Sequence, residues 1–334
     1  MSLTWLLLQF AGCAALIARA GYVLSRSADA LAGAYGWGRG WVGLALLATV
    51  TSLPELASGI SAVAYVDAPN LAVGNALGAC VVNLLFLVVV DAVQRHQPMY
   101  REASATHLLS AGFGVVMLGF VALSLLTGAR APAVLHVGVY SPMLLVLYLL
   151  ALKAVHARER RAQVPGAATC APGPDAPTRR QWQRFGSAGL VVLLAGSWLP
   201  AVADGLATEL GLSRSFVGTV LVAMVTTLPE MAVTLGALRL GALDMAIANL
   251  LGSNLFNVAI LAIDDAFYLR GPLLAGVAAV HAGTAVTAVV MTGLVIIGLV
   301  MRPQGRTLRV VSWISVGLAA TYLVNAALVY LGGV

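Results

Sequence analysis

Two short stretches place cation-binding chemistry where it is costly: Thr51-Ser52-Leu53-Pro54-Glu55 and Thr226-Thr227-Leu228-Pro229-Glu230. Each sets a carboxylate, two hydroxyls and a proline inside an apolar run. Proline lacks an N–H and clashes with the carbonyl four residues back, here Val50 and Val225. The residue before each proline is pushed away from helical angles. The pattern predicts a kinked or broken helix whose freed carbonyls need new partners. Glu55 and Glu230, the hydroxyls of Thr51, Ser52, Thr226 and Thr227, and those carbonyls make a set of hard oxygen donors. Such a set suits Ca²⁺, which takes about 6–8 oxygens, and it suits Na⁺. No His or Cys cluster joins it, so zinc and copper are not expected. A buried carboxylate satisfied only by a helix end is the plainer alternative. Ionisable residues inside a membrane point to function by default, and the symmetric pairing strengthens that reading.

The solvent around these residues follows from composition. The chain has 334 residues, 60% hydrophobic and 10% charged, with a mean hydropathy of +0.93. Soluble domains carry about 25% charged residues, so most of this surface must face lipid. Lipid cannot satisfy backbone groups, and the apolar runs are continuous rather than alternating, so the spans are expected to be helices. Ten are expected, at roughly 4–25, 40–64, 70–93, 105–126, 133–155, 185–204, 214–238, 243–268, 276–301 and 309–331. The first run lacks the Lys or Arg that would precede it in a signal peptide.

The net charge is +6, and the basic residues concentrate in alternate loops. The positive-inside rule makes those loops cytoplasmic and both termini extracytoplasmic, in the cell membrane. This pattern explains the charge without nucleic acid as a partner. The three cysteines, Cys13, Cys80 and Cys170, have neither metal spacing nor an even count.

The chain reads as two copies. VTSLPELASGISAVAYVDAPNLAVGNALGACVVN corresponds to VTTLPEMAVTLGALRLGALDMAIANLLGSNLFN. Residues 1–156 form the first five-helix repeat and 184–334 the second, joined by a flexible, polar cytoplasmic linker at 157–183. Because five is odd, the second copy enters the membrane inverted, an arrangement of secondary transporters whose sites lie near the midplane. Asn83 and Asn257 fall on corresponding faces and can add amide oxygens, while Asn75, Asn249 and Asn254 are further polar residues of the same segments. Gly74 and Gly78 read as close helix packing. Asp91, Asp264 and Asp265 lie near helix ends and are expected to be solvated there.

At these motifs the sequence resembles the sodium/calcium exchanger branch of the cation/Ca²⁺ exchanger superfamily. The resemblance implies an all-α membrane fold of about ten helices in two inverted five-helix repeats. It implies antiport by alternating access, with the first and sixth spans sliding past a fixed centre. It also implies that Glu55 and Glu230 share the Ca²⁺, with oxygens from Thr51 and Thr226. The carbonyls of Ala48 and Ala223 and the hydroxyl of Ser253 match the family's Na⁺ ligands, and Asn83 and Asn257 flank the centre. The chain departs from the family pattern at Val50 and Val225, where glycine is usual, at Ala79, where a serine is usual, and at Asn257, often Asp. Val50 and Val225 are expected to stiffen the breaks. With two carboxylates in the core, three Na⁺ would leave excess positive charge, so the expected coupling differs from three Na⁺ per Ca²⁺.

No resident cofactor is expected; Ca²⁺ and Na⁺ are cargo, and a monomer in the lipid bilayer suffices. The main alternative is a H⁺/Ca²⁺ antiporter using the glutamates as proton carriers. An intramembrane enzyme lacks its signatures here: no HExxH, no GxSxG and no paired-Asp motif. A passive channel would want a pore-lining ring instead of two buried carboxylates.

Overall fold

Apolar helices of membrane-spanning length dominate the computed structural model, which describes residues 2–34, 48–94, 98–128, 132–162, 179–303, 305–307 and 310–332. The first half contains α1 (Leu3–Ala34), α2 (Ala48–Thr51), α3 (Leu53–Ala64), α4 (Pro69–Val93), α5 (His107–Thr127) and α6 (Tyr140–Ala162). The second contains α7 (Arg179–Leu210), α8 (Arg214–Thr226), α9 (Leu228–Arg239), α10 (Leu243–Phe267), α11 (Val280–Met301) and α12 (Trp313–Leu331). Among the described residues eight helices are long and apolar enough to span, and the bent pair α8–α9 makes a ninth span. The span expected over 40–64 is described only from Ala48, as α2 and α3.

Two expected boundaries shift. The span expected from residue 133 starts at Tyr140, because Ala133–Val134 pairs with Val137–Gly138 in a small antiparallel hairpin. Helix also runs into both ends of the expected linker, through Ala162 and again from Arg179, and 163–178 lies outside the described residues. The linker marks one end of the bundle, here termed the linker side; the opposite end is the far side.

The two innermost helices are α4 and α10, which pack on each other. In α10, 94% of the most apolar stretch is buried, against 28% in α1, so α10 is core and α1 faces lipid. The inverted repeat is visible in this pair. Cys80 and Asn254 are equivalent positions, and they touch: Asn254 Nδ2 donates to the Cys80 carbonyl at 3.2 Å, and Cys80 Sγ to the Asn254 carbonyl at 3.7 Å. Equivalent residues in mutual contact lie on the pseudo-two-fold axis, so the axis passes between α4 and α10. The small-residue face of α4 packs as expected: a Cβ on Gly78 would fall 2.4 Å from the Thr219 carbonyl oxygen of α8.

The three aspartates near helix ends are not solvated; all are fully buried. Asp91 Oδ1 accepts from Met99 N at 3.1 Å, and Oδ2 accepts from Ser312 N at 2.6 Å and Ser315 Oγ at 2.7 Å. Asp265 Oδ1 accepts from Leu273 N at 2.6 Å and Tyr140 Oη at 2.7 Å; Oδ2 accepts from Gly138 N at 2.8 Å and Ser141 Oγ at 2.5 Å. Met99, Ser312 and Ser315 are the equivalents of Leu273, Gly138 and Ser141. Each inner helix therefore grips the start of the other repeat's last helix: α4 holds α12 and α10 holds α6. Burial is tolerated because each carboxylate is met by several donors. Asp264 is buried as well, but neither of its oxygens has a hydrogen-bond partner.

Asp265→Ala would strand four buried donors, at ~1–3 kcal/mol each. Thermal unfolding in detergent should show a clear drop in melting temperature, with a similar drop for Asp91→Ala. An unchanged transition in both would show that the clamps hold nothing.

Candidate cation site

Both prolines interrupt their helices for a single residue. Ser52 (φ −88°, ψ 14°) and Thr227 (φ −79°, ψ 0°) leave helical angles, and helix resumes at once on either side. Around each break the i→i−4 ladder continues, with Ser52 N on Ala48 O at 3.2 Å and Thr227 N on Ala223 O at 3.1 Å. The second span bends by 42° at its break. It is also loosened just before the break, where Val217–Val222 forms a π-helical turn. Nothing in its composition signals that turn; Gly78 of α4 packs directly on Thr219 within it.

The short breaks turn the two TxxPE segments toward each other. Ser52 Oγ donates to Glu230 Oε1 at 2.8 Å, crossing between repeats. The Thr51 and Ser253 hydroxyls meet at 3.4 Å. Thr226 Oγ1 lies beside Glu55 and donates to Asn75 Oδ1 at 2.9 Å. The asymmetry has a simple origin: Ser253 answers Thr51, but its equivalent in the first repeat is Ala79, so Thr226 turns to Asn75 instead. Ala48 O accepts from Thr51 Oγ1 at 3.2 Å, and Ala223 O accepts from Thr227 Oγ1 at 2.8 Å. A hydroxyl that donates back to its own helix keeps its lone pairs free to face a cation.

All eleven of the candidate residues from Ala48 to Asn257 are buried, and the contacts above join most of them in one cluster. Several of their oxygens have no protein partner: both of Glu55, Oε2 of Glu230, and the amide oxygens of Asn83 and Asn257. Asn83 gives its amide nitrogen to Asn254 Oδ1 at 3.1 Å. Asn257 would by symmetry reach Cys80, which offers no amide, and both polar atoms of Asn257 remain unpartnered. Orphaned oxygens from four helices, buried together, are what a cation centre requires and what a purely structural cluster avoids. Among the described residues no group of three His, Cys, Asp or Glu gathers, so a cation held here would meet two carboxylates and otherwise neutral oxygens. Asn75 and Asn254 matter as hydrogen-bond partners that orient these groups; their roles depend on contacts between repeats.

The two long helices lie on the breaks. A Cβ on Gly21 of α1 would fall 2.4 Å from Pro229 Cγ. A Cβ on Gly196 of α7, its equivalent, would fall 3.1 Å from the Pro54 carbonyl oxygen. Each long helix thus rests on the other repeat's proline. On the linker side a cavity of about 680 Å³ is lined by Tyr22 and Arg26 of α1 and by Val233, Gly236 and Ala237 of α9. Val233 and Ala237 stand three and seven residues after Glu230, on its side of α9. The cavity therefore reaches the linker-side half of α9, the helix that carries the carboxylate.

The family model described as sodium/calcium exchanger protein matches residues 5–154 and 181–331. The putative antiporter CaxA of Alkalimonas amylolytica is 31% identical over 231 residues, 65% of this chain and 66% of the relative. The inner membrane protein YrbG of Escherichia coli is 26% identical over 232 residues, 66% of each chain. The match thus spans just under two thirds of these curated relatives. A solved structure of the sodium-calcium exchanger NCX_Mj, soaked with Na⁺ and Sr²⁺, superposes with a TM-score of 0.65, covering 98% of this chain and 99% of that one at 20% identity. That likeness establishes the fold.

Gly21→Val should destabilise the folded protein strongly, because Pro229 cannot yield. Gly12→Val on the same helix should be tolerated, since a Cβ there meets nothing within 4 Å. Thermal unfolding of the two variants compares them directly; equal melting temperatures would mean that the α1–Pro229 contact is not tight.

Proposed function

The chain belongs to the sodium/calcium exchanger family, and from that premise we propose that it is a secondary active antiporter exchanging Ca²⁺ for Na⁺. The observation that carries this reading is the pairing of Glu55 and Glu230, fully buried beside two helix breaks and surrounded by neutral oxygens. Two carboxylates balance one Ca²⁺. Thr51, Thr226 and the amide oxygens of Asn83 and Asn257 would bring the shell toward the 6–8 oxygens that Ca²⁺ prefers. The carbonyls of Ala48 and Ala223, with Ser253, would serve Na⁺, and Ser52 and Thr227 would hold the breaks in shape.

Exchange needs the centre to face each side in turn. Gly21 and Gly196 give α1 and α7 smooth contact points on the two prolines, where a larger side chain would jam. Sliding of this pair would open one route and close the other. The cavity beside Arg26 and Arg239 is the linker-side route. The basic loops support a cytoplasmic linker side in the cell membrane, with both termini outside; the working unit in this reading is a monomer.

Asn257 in place of an acid leaves two negative charges for cargo. Two Na⁺ balance them; three would leave an excess in a low-dielectric site. Protons on the glutamates are the other way to balance them.

Uptake of ⁴⁵Ca²⁺ into proteoliposomes should be driven by an outward Na⁺ gradient, with little net charge moved. Uptake driven only by an outward H⁺ gradient would make this a H⁺/Ca²⁺ antiporter; electrogenic movement of three Na⁺ per Ca²⁺ would overturn the charge-balance reading. Glu55→Gln and Glu230→Gln should each reduce uptake to the level of empty liposomes with the fold intact. Near-normal flux in either would remove that glutamate from the site. Ala79→Ser, which restores the hydroxyl equivalent to Ser253, should steepen the Na⁺ dependence.

A further inference from the structure

Among the described residues Asp264 is the one buried carboxylate that neither the proposed cation centre nor the helix clamps use. It lies on α10, two turns beyond Asn257 on the same face, toward the far side. It is fully buried, and neither of its oxygens meets a protein donor. Its cover is Gly59 of α3: a Cβ there would fall 2.3 Å and 2.6 Å from the two carboxylate oxygens. Gly59 stands one helical turn after Glu55, so Asp264 sits above the centre on its far-side approach, about 6 Å along the axis.

The inverted repeat makes this position stand out. The equivalents of Gly59 and Asp264 are Thr234 and Val90. The far side therefore has a glycine closed over an acid where the linker side has a threonine and a valine. Asp265, next along the chain, has an equivalent in Asp91 and repeats its clamp; Asp264 has none. The acid is an addition to one mouth of the transporter.

A buried carboxylate with no donor on either oxygen needs a counter-cation or a proton. A metal ion would need several more oxygens at that point, and no cluster of ligating side chains surrounds Asp264 among the described residues. We propose that Asp264 is a proton-binding carboxyl that gates the far-side mouth: it carries a proton while α3 is closed over it and releases that proton to water when α3 and α10 part. Outer protons then favour the closed mouth. This rests on the antiporter reading and on the far side being extracytoplasmic.

Other titratable groups near this mouth are Glu55 on α3, Asp67 after it, Asp265 on α10, Arg270 after it, His136 in the hairpin, and Tyr140 and Tyr148 on α6. Asp265 and Tyr140 are bonded to each other at 2.7 Å, Arg270 pairs with Asp67 at 2.6 Å, and His136 bonds the Ala266 carbonyl at 3.1 Å. Asp67 and Arg270 are solvated, so Asp67→Asn serves as the control for a surface acid at the same mouth.

The test measures Ca²⁺ flux in right-side-out and inverted membrane vesicles while pH is varied on one side at a time. In the unaltered protein, acidifying the far side should slow exchange several-fold more than acidifying the linker side. Asp264→Asn, fixed in the neutral form, should transport with that sided difference gone, while Asp67→Asn keeps it. Should Asp264→Asn fail to insert, the double variant Gly59→Thr, Asp264→Val imports the linker side's own pair and should likewise lose the difference. The proposal is overturned if the unaltered protein responds equally to both sides, or if the neutral variants keep its sided profile. Absence of Ca²⁺ flux in the unaltered protein would instead overturn the antiporter reading.

Discussion

Everything in this protein is arranged around two carboxylates held in the interior of an apolar bundle. Lipid offers no hydrogen bonds, and a charge there is costly. Glu55 and Glu230 therefore sit where a proline interrupts each helix, beside hydroxyls and carbonyls that a continuous helix would not present. The bundle keeps water-poor surroundings about them by placing the most buried helices, α4 and α10, across the centre and the lipid-facing helices outside. The breaks themselves are short, one residue each. That economy is possible because the backbone ladder closes again immediately, so few groups are left to satisfy.

The second organising feature is the pseudo-two-fold axis between Cys80 and Asn254. It explains why so many contacts cross from one repeat to the other. Ser52 reaches Glu230, α1 rests on Pro229 and α7 on Pro54, and Asp91 and Asp265 each tie the start of the opposite repeat's last helix. Neither repeat can complete the centre alone. The departures from symmetry are as informative as the symmetry. Ala79 against Ser253 sends Thr226 to Asn75, and a glycine and an acid at the far side replace a threonine and a valine at the linker side. The two ends of an inverted repeat need not be chemically alike.

The sequence by itself determined the solvent, the helical class and the two copies, and it singled out the oxygen-bearing residues that the fold gathers. Those follow from local facts: uninterrupted apolar runs, a proline beside a glutamate, and the same phrase written twice. Helix ends were legible only approximately. The span expected from residue 133 yields its first seven residues to a hairpin, because Gly138 and Ser141 are held by Asp265, a partner more than 120 residues away. Only the tertiary structure decided what the aspartates near helix ends do, since position along a helix does not say whether its end meets water or another helix. Asp91, Asp264 and Asp265 look alike in sequence; two are clamped by donors from the other repeat, and one is sealed under a glycine. The pairing of Ser52 with Glu230, the π-turn under Gly78 and the rest of α1 on Pro229 were decided the same way. Each depends on which surfaces the inverted repeat brings face to face, and that is a property of the assembled bundle rather than of any one segment.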